Sequence, residues 1–424
     1  MTKSIKIIFL LVALAAFVSA CDPPLTQNTK EPVTITFAYP ETPDRTRYLA
    51  LADAFHAEYP HITIKLRPSP IMQATRDPQA GVDAFVWWPD PSLAEEGVVR
   101  SLDEISELAL QPGDFQQRCL EIFTWEDSLW ALPAEIDMQL LFFSKALFDA
   151  RNMPYPQAPW SWEDFLQVAK DMTDIQDGAG QYGLVTNPRW GDFLPFLYQH
   201  GGDIFQTGQV MQTAINWYAD LVRVHAVVPD PKDILEGDIY AWFAQGKAAM
   251  WVGFLADRDG IGYHHLAVDW DFDWGALPLP SDQTEAALYR AQGYYLSAGS
   301  KHPQEAILWM RYLSGQITGK GLPCRQEVAT SQAYQDAVGV ETAAAALHAA
   351  DHLIPRVVHQ TEPAWLIEKY ALTVESLVND GNRSGFYRSP ECLRILAVVV
   401  DQVMRGEKST EDAIKEAASQ CPEN

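Results

Sequence analysis

The ordered part of the chain opens on a strict alternation. Val33, Ile35 and Phe37 point one way and Thr34 and Thr36 the other, a period of two that predicts a β-strand. Leu49, Ala52, Phe55 and Tyr59 then recur at helical spacing until Pro60 stops the helix. His61–Leu66 reads as a second strand and Ala84–Trp87 as a third. Strand, helix and strand of these lengths make a right-handed crossover in a parallel sheet, so the fold class is α/β. Pro133 to Asp137 reads as a break in a strand-like stretch, after which Leu140–Phe143 forms a buried strand in a new block. Ser161-Trp162-Glu163-Asp164 has the form of a capping box, with Phe165, Ala169 and Met172 on one face of its helix. Further on, a helix over 213–226 ends before Pro229, a short one over 239–245 ends at Gly246, and Ala248–Trp251 is a strand. Asp269–Trp274 alternates acid and ring, the pattern of a half-exposed strand rather than a metal site. From Pro303 onward the pattern is mostly helical, closing on helices over 390–405 and 409–420 with Ser409 or Thr410 as a cap.

A different pattern precedes all this. Lys3 and Lys6 lead into an unbroken apolar run, Ile7 to Phe17, then Val18-Ser19-Ala20-Cys21. That is the layout of a bacterial secretory signal, and its core is too short for a permanent membrane span. Cys21 after small residues resembles a lipobox cysteine, which is acylated and becomes the new N-terminus. Residues 1–20 are thus expected to be removed, leaving 21–32, with Pro23, Pro24 and Pro32, as a lipidated tether. The chain of 424 residues carries a formal charge of −25, or −27 without the two leader lysines. Such a balance argues against nucleic acid and anionic lipid headgroups as partners. Hydrophobic residues at 47% are enough for full cores, and two domains of ordinary size fit the length. An exported location permits disulfides. Cys392 and Cys421 lie nearly symmetrically about the turn between the last two helices and form a candidate pair; Cys119 and Cys324 are read as buried free thiols or a long-range pair.

Several segments, in order, resemble the bacterial extracellular solute-binding protein family 1, the receptors of ABC importers, mostly for sugars. They are the strand–helix–strand at 35–66, "WEDSLWALPAEIDMQLLFFSKALFDA" through "WSWEDFLQVAKDMT" at 125–173, and "FAQGKAAMWVG" at 243–253. "GYYLSAGSKHPQEAILWMRYLS" at 293–314, "GLPCRQEVA" at 321–329 and "VMRGEKSTEDAIKEAASQ" at the end complete the likeness. The resemblance implies a two-lobe, maltose-binding-protein-like fold with hinge crossovers near Pro133–Asp137, at 285–293 and at 345–360. Lobe 1 would take 33–137 plus about 291–345, and lobe 2 would take 138–290 plus about 346–424. A solute, sugar or polyol, would bind between the lobes, and the closed form would dock on permease subunits. The expected state is a monomer without cofactor, held by its lipid at the cell membrane. Asp22 resembles the signal that keeps a Gram-negative lipoprotein on the periplasmic face of the inner membrane. Ser144 stands where the family often has Asn, and Tyr294 where it often has Trp.

A sugar site needs rings for flat C–H faces and carboxylates, amides or Arg for hydroxyl rims. Ligands in open α/β sheets bind at strand ends. Trp87, Trp88 and Asp90 end the third strand, and Glu41 follows the first. Glu135 and Asp137 flank the first crossover, where the alternative role is a hinge salt bridge or a helix cap. Trp190 sits in a loop, and Trp251, Gly253 and Phe254 leave a strand at the second-lobe mouth, Gly253 admitting close backbone approach. Tyr294 and Tyr295 alternate, so at most one faces the ligand. Arg325, after the Gly321-Leu322-Pro323 turn, is either a ligand contact or a surface ion pair.

Two other classes compete. A glycosidase would use two carboxylates, Glu135 with Glu41 or Asp90, and a ligand sensor for a membrane receptor would use the same fold. No catalytic set is expected: HExxH, GxSxG and CxxC are absent. Gly315–Gly321 is one residue short of a phosphate loop and follows a helix. His264-His265 and His352/His359 lack a coherent ligand set, so no metal is expected.

Overall fold

The computed structural model describes residues 31–40, 45–69, 81–103, 105, 110–111, 113–176, 179–186, 191–202, 208–234, 239–260, 270–354 and 389–420. Strand β1 (Val33–Pro40), helix α1 (Arg45–Glu58) and strand β2 (Ile62–Ser69) form the expected parallel crossover, in register from Val33 opposite Ile62 to Pro40 opposite Ser69. Strand β3 (Ala84–Trp87) lies on the other side of β1, also parallel. Ile35, Phe37, Phe55 and Ile62 have no exposed surface, so the alternation buries as read; of the helical stripe, Ala52 and Phe55 are buried and Tyr59 partly so, but Leu49 is 46% exposed.

The organising element is a strand the sequence pattern divides in two. Strand β6 (Ala131–Ser144) follows the short helix Gln117–Phe123 and the tight pair Thr124–Trp125 with Ser128–Leu129, which we label α3, β4 and β5; α2 is the turn of helix Ser92–Glu95. β6 runs unbroken through Pro133 and is buried along all fourteen residues. The expected break at Pro133–Asp137 is therefore corrected. A proline lacks the ladder N–H, and the sheet absorbs it at an irregularity: Gln292 faces Glu135 while Gly293 faces Pro133, leaving Ala134 as the extra residue.

The two ends of β6 belong to different sheet halves. Up to Met138 it pairs antiparallel with β11 (Tyr289–Leu296), and from Gln139 onward with β9 (Ala248–Phe254). One half thus reads β2-β1-β3-β11-β6 and the other β6-β9-β8-β7, with β7 (Asp174–Gln176) and β8 (Ala179–Val185) outermost. β10 (Trp274–Leu277) and β12 (Leu322–Pro323) add to β6 at its two ends. Three chain segments meet where the halves join. Gln139 N donates to Leu288 O, and Ala287 and Leu353 form a parallel bridge. The passage along β6 lies just beyond the expected 133–137 and that at Leu288 within the expected 285–293, and the architecture is the mixed α/β, two-lobe fold.

Helices cover both halves. α4 (Lys145–Ala150) is capped by Ser144, whose hydroxyl accepts from Leu147 N, so Ser144 performs the capping an Asn would. α5 (Trp162–Asp171) opens on the full Ser161/Asp164 capping box, and Phe165, Ala169 and Met172 are wholly buried. α6 (Leu194–Gln199), α7 (Gln209–Arg223) and α8 (Ile239–Ala244) follow, then α9 (Pro303–Ser314), α10 (Gln326–Ala329), α11 (Gln332–Val338) and α12 (Val340–Ala350). α12 packs on β10, and Glu341 near its start pairs with Lys145 at 3.4 Å. The closing hairpin is α13 (Ser389–Met404) and α14 (Thr410–Gln420), turned at Gly406 in the left-handed region and capped by Ser409. No described helix is long and apolar enough to cross a membrane.

Aromatic rings fill each core. Phe37, Phe55 and Trp309 pack edge to face in the first half, with ring centroids 5.1–5.8 Å apart. In the second, Trp270 and Trp274 meet Phe142 edge-on. The alternation at 269–274 therefore turns its rings to the core as read, Trp270 buried and Phe272 and Trp274 partly so, although the strand begins only at Trp274; Asp269 lies outside the described residues. Trp160, Trp162 and Trp309 are core residues, and Trp217 stacks on Trp162 at 4.3 Å.

Cys119 and Cys324 form a disulfide with Cα atoms 5.8 Å apart, which resolves the alternative of free thiols. It closes a loop of 205 residues, and ties α3 to the segment after β12. Cys324 N also donates to Ala134 O on β6, so the bridge braces the strand at its irregularity. Cys421 and the side chain of Cys392 lie outside the described residues, as do Cys21 and the tether.

Candidate functional site

The joint between the halves carries buried charge from both. Asp137 sits on β6, one residue before its last partner on β11, and is 4% exposed. The Arg290 guanidinium, from β11, grips it through Nε at 3.0 Å and a terminal nitrogen at 2.5 Å. The same terminal nitrogen lies 3.6 Å from Asp257, which is 1% exposed and comes from the 3₁₀ turn Leu255–Gly260 after β9. Ala256 N donates to the other Asp137 oxygen at 2.8 Å. Burial raises the Asp137 pKa, Arg290 pulls it back down, and the nearby Asp257 charge adds to the rise. Phe254, at the end of β9, lies under Arg290 with its ring centroid 3.8 Å from the guanidinium carbon. One cation thus links strands from both halves.

Glu135, one turn of pleat away and 5% exposed, faces the loop 315–321. Gly321 N donates to its carboxylate at 3.2 Å. A Cβ on Gly319 would lie 1.9 Å from the same carboxylate, so a larger residue there would displace the Glu135 side chain. The loop is held from both sides. Arg47 of α1 donates to Thr318 O at 2.5 Å, and Arg258 of the 3₁₀ turn donates to Lys320 O. Tyr294 adds a hydroxyl bond to Thr318 Oγ1 at 2.9 Å. Tyr334 of α11 is fully buried, its hydroxyl has no hydrogen-bond partner among the described residues, and burial raises its pKa with Glu135 and Asp137 nearby.

The sequence candidates sort accordingly. Glu135, Asp137 and Phe254 come together at the joint. Trp87 and Trp88 end β3 beside β11, Trp87 opposite Gly293. Their rings are 6.2 Å apart; Trp87 is buried and Trp88 half-buried. Asp90 is buried and accepts from Ser92 N and Oγ at 3.1 and 2.5 Å, opening α2. Both tyrosines of β11 are packed. Tyr294 turns toward Phe37, whereas Tyr295 stacks on Phe85 at 5.4 Å and donates to Trp88 O. Neither ring has a free face in this conformation. Trp251 is likewise 1% exposed and stacked on Phe142. Gly253 makes room for that indole: a Cβ would lie 2.3 Å from its ring atoms. Arg325 lies over Phe115 at 4.8 Å and donates to Ser314 Oγ, fastening α9 beside the disulfide. Glu41 and Trp190 lie outside the described residues.

Arg290, Asp257, Arg258 and the glycines of 315–321 are joint residues that sequence reasoning missed. The one signal was the glycine spacing at 315–321, weighed as a phosphate loop and rejected. Its glycines instead let the backbone close on Glu135. His352, weighed with His359, instead lies beside His348 and Glu285.

Residues 50–342 match the family model described as bacterial extracellular solute-binding protein. Solved structures share the fold at low identity. An ABC substrate-binding protein from Listeria monocytogenes in complex with cycloalternan is 18% identical, with a TM-score of 0.69 over 92% of this chain and 98% of that one. Maltose-bound MalE3 of T. maritima is 19% identical at a TM-score of 0.64, with the same two coverages. UgpB from Mycobacterium tuberculosis in complex with glycerophosphocholine is 17% identical at 0.66, again over 92% and 98%. With its family model spanning more than half the chain and its two sheet halves joined by shared strands, this protein belongs to the bacterial extracellular solute-binding proteins.

Proposed function

We propose that this protein is the substrate-binding lipoprotein of an ABC importer, capturing a carbohydrate-like solute between its lobes and presenting it to a membrane permease. The observation that carries the ligand class is the joint itself. Buried Glu135 and Asp137, the Arg290 guanidinium and the half-buried ring of Phe254 supply acceptors, donors and an apolar face of the kinds a polyhydroxylated ligand needs, and the half-buried ring of Trp88 follows β3 in the other half. Neighbours of the same fold were solved with maltose, cycloalternan and glycerophosphocholine, which favours the same class. Glu41, Trp87, Asp90 and Trp190, at or after strand ends of the two halves, complete the proposed rim. Tyr294, Tyr295, Trp251, Gly253 and Arg325 are assigned packing roles instead.

Lobe 1 is proposed as 33–138 with 289–338, and lobe 2 as 139–288 with 340 onward. The packing of α12 on β10 supports moving the second division back to Gly339, which has positive φ. The family is extracellular, and the Cys21 leader is the proposed export and lipid-anchoring signal, with Asp22 directing retention beside the permease. A tether there raises the receptor's effective concentration at its permease. The protein is proposed to act as a monomer and to turn over nothing.

A thermal-shift screen of the purified protein against mono-, di- and oligosaccharides, polyols, glycerophosphodiesters, peptides and amines tests this reading. A saturating sugar, polyol or glycerophosphodiester raises the melting temperature by mass action. A shift only with peptides or amines refutes the carbohydrate class. Glycoside turnover that disappears in Glu135→Gln refutes the binding-only role.

A further inference from the structure

Glu285, His348 and His352 cluster on the outside of the joint, with one ligand atom from each within 4.8 Å of the others. His348 Nε2 is in hydrogen-bond contact with Glu285 Oε2, and His352 Nδ1 lies 3.6 Å from that same oxygen. The two imidazoles are 4.8 Å apart, centroid to centroid. All three side chains are between 30% and 45% exposed, so a hydrated ion can reach them.

We propose that these three residues form a binding site for a borderline divalent transition metal of the zinc class. Two imidazoles and one carboxylate are the ligands such ions take, whereas calcium and magnesium prefer all-oxygen shells. Zinc bonds of about 2.0–2.2 Å in a tetrahedron place neighbouring ligand atoms about 3.4 Å apart. The Glu285–His352 separation already matches, and the closer His348–Glu285 contact opens slightly to admit the ion. His348 lies in the last turn of α12 and His352 two residues past its end, and with their ring centroids 4.8 Å apart they can reach one point. His352 Nδ1 now bonds the His348 carbonyl at 3.0 Å and exchanges that contact for the metal. The fourth position is left to water or to a ligand from outside.

The location gives the site a consequence. Glu285 lies on the segment entering β11, and His352 on the segment that bridges to it. Ala287 N donates to His352 O at 2.9 Å, and Ile354 N to Ala287 O at 3.0 Å. A bound ion therefore staples the end of α12 to the segment entering β11 at the outer edge of the joint. This inference does not depend on the solute or on the importer reading.

The test is calorimetric titration of Zn²⁺ into purified, chelator-stripped protein, with His348→Ala, Glu285→Gln and the His348→Ala/His352→Ala pair. The wild type is expected to bind one equivalent saturably. Removing a ligand costs at least as much as removing its supporting partner, so each single variant should weaken binding about tenfold or more. The double variant should lose it. Melting of the metal-free variants, each changed at a partly exposed position, verifies that they fold. Co²⁺ offers a second readout, an absorption band that the double variant lacks. No saturable binding by the wild type, or the same isotherm in the double variant, overturns the proposal.

Discussion

Arg290 shows how single residues set the character of the joint. It touches Asp137 on β6 and, at and just after the end of β9, Phe254 and Asp257, groups brought together from two separate stretches of chain. Removing the cation while leaving two buried carboxylates strands their charge, a change that typically costs about 3–5 kcal/mol. Arg290→Met should therefore lower the denaturation midpoint strongly, and adding Asp137→Asn should restore part of the loss. Equal stability of Arg290→Met and wild type in chemical denaturation would show that the cluster is not holding the joint. Sequence reasoning named Asp137 from its place beside a crossover, and the salt bridge it weighed there is present. It missed Arg290 and Asp257, because nothing local says that residues 153 and 120 positions away will converge on it. Trp251 and Tyr294 show the reverse problem. A ring at a strand end looks the same in sequence whether it faces a ligand or, as here, the core.

Among elements, those with a strong local signature were legible: the β1–α1–β2 crossover, the capping box at Ser161 and the closing hairpin. β6 was not, because Pro133 is a strand breaker by every local rule. Only the partner strand shows that a two-against-one irregularity accommodates it. The Cys119–Cys324 bridge was legible only as one of two alternatives, since proximity across 205 residues is a product of the finished topology. Closing a loop of that length stabilises by about 5 kcal/mol on loop-entropy grounds. Non-reducing peptide mapping should recover these two cysteines linked, and Cys324→Ser should melt well below wild type. Recovery of both as alkylated thiols from unreduced protein would contradict the bridge. The same map reads the proposed Cys392–Cys421 pair.

At the scale of the molecule, the family and the two-half architecture carry most of the functional meaning. In the proposed receptor, a ligand touching both halves would bias their relative motion through the strands they share. The net charge of −25 and the proposed leader fit an exported receptor, and the order of family-like segments was legible because each is a local phrase. Ligand identity was not, since it depends on which side chains the two halves bring face to face. The central claim is that one solute is held by both halves. Calorimetric titration of the best sugar or polyol from the thermal screen into wild type, Trp88→Ala and Phe254→Ala tests it directly. The account predicts one-to-one binding that weakens about tenfold or more in each variant, one ring coming from each half. Unchanged affinity in both variants, or no carbohydrate binding by the wild type, would contradict it.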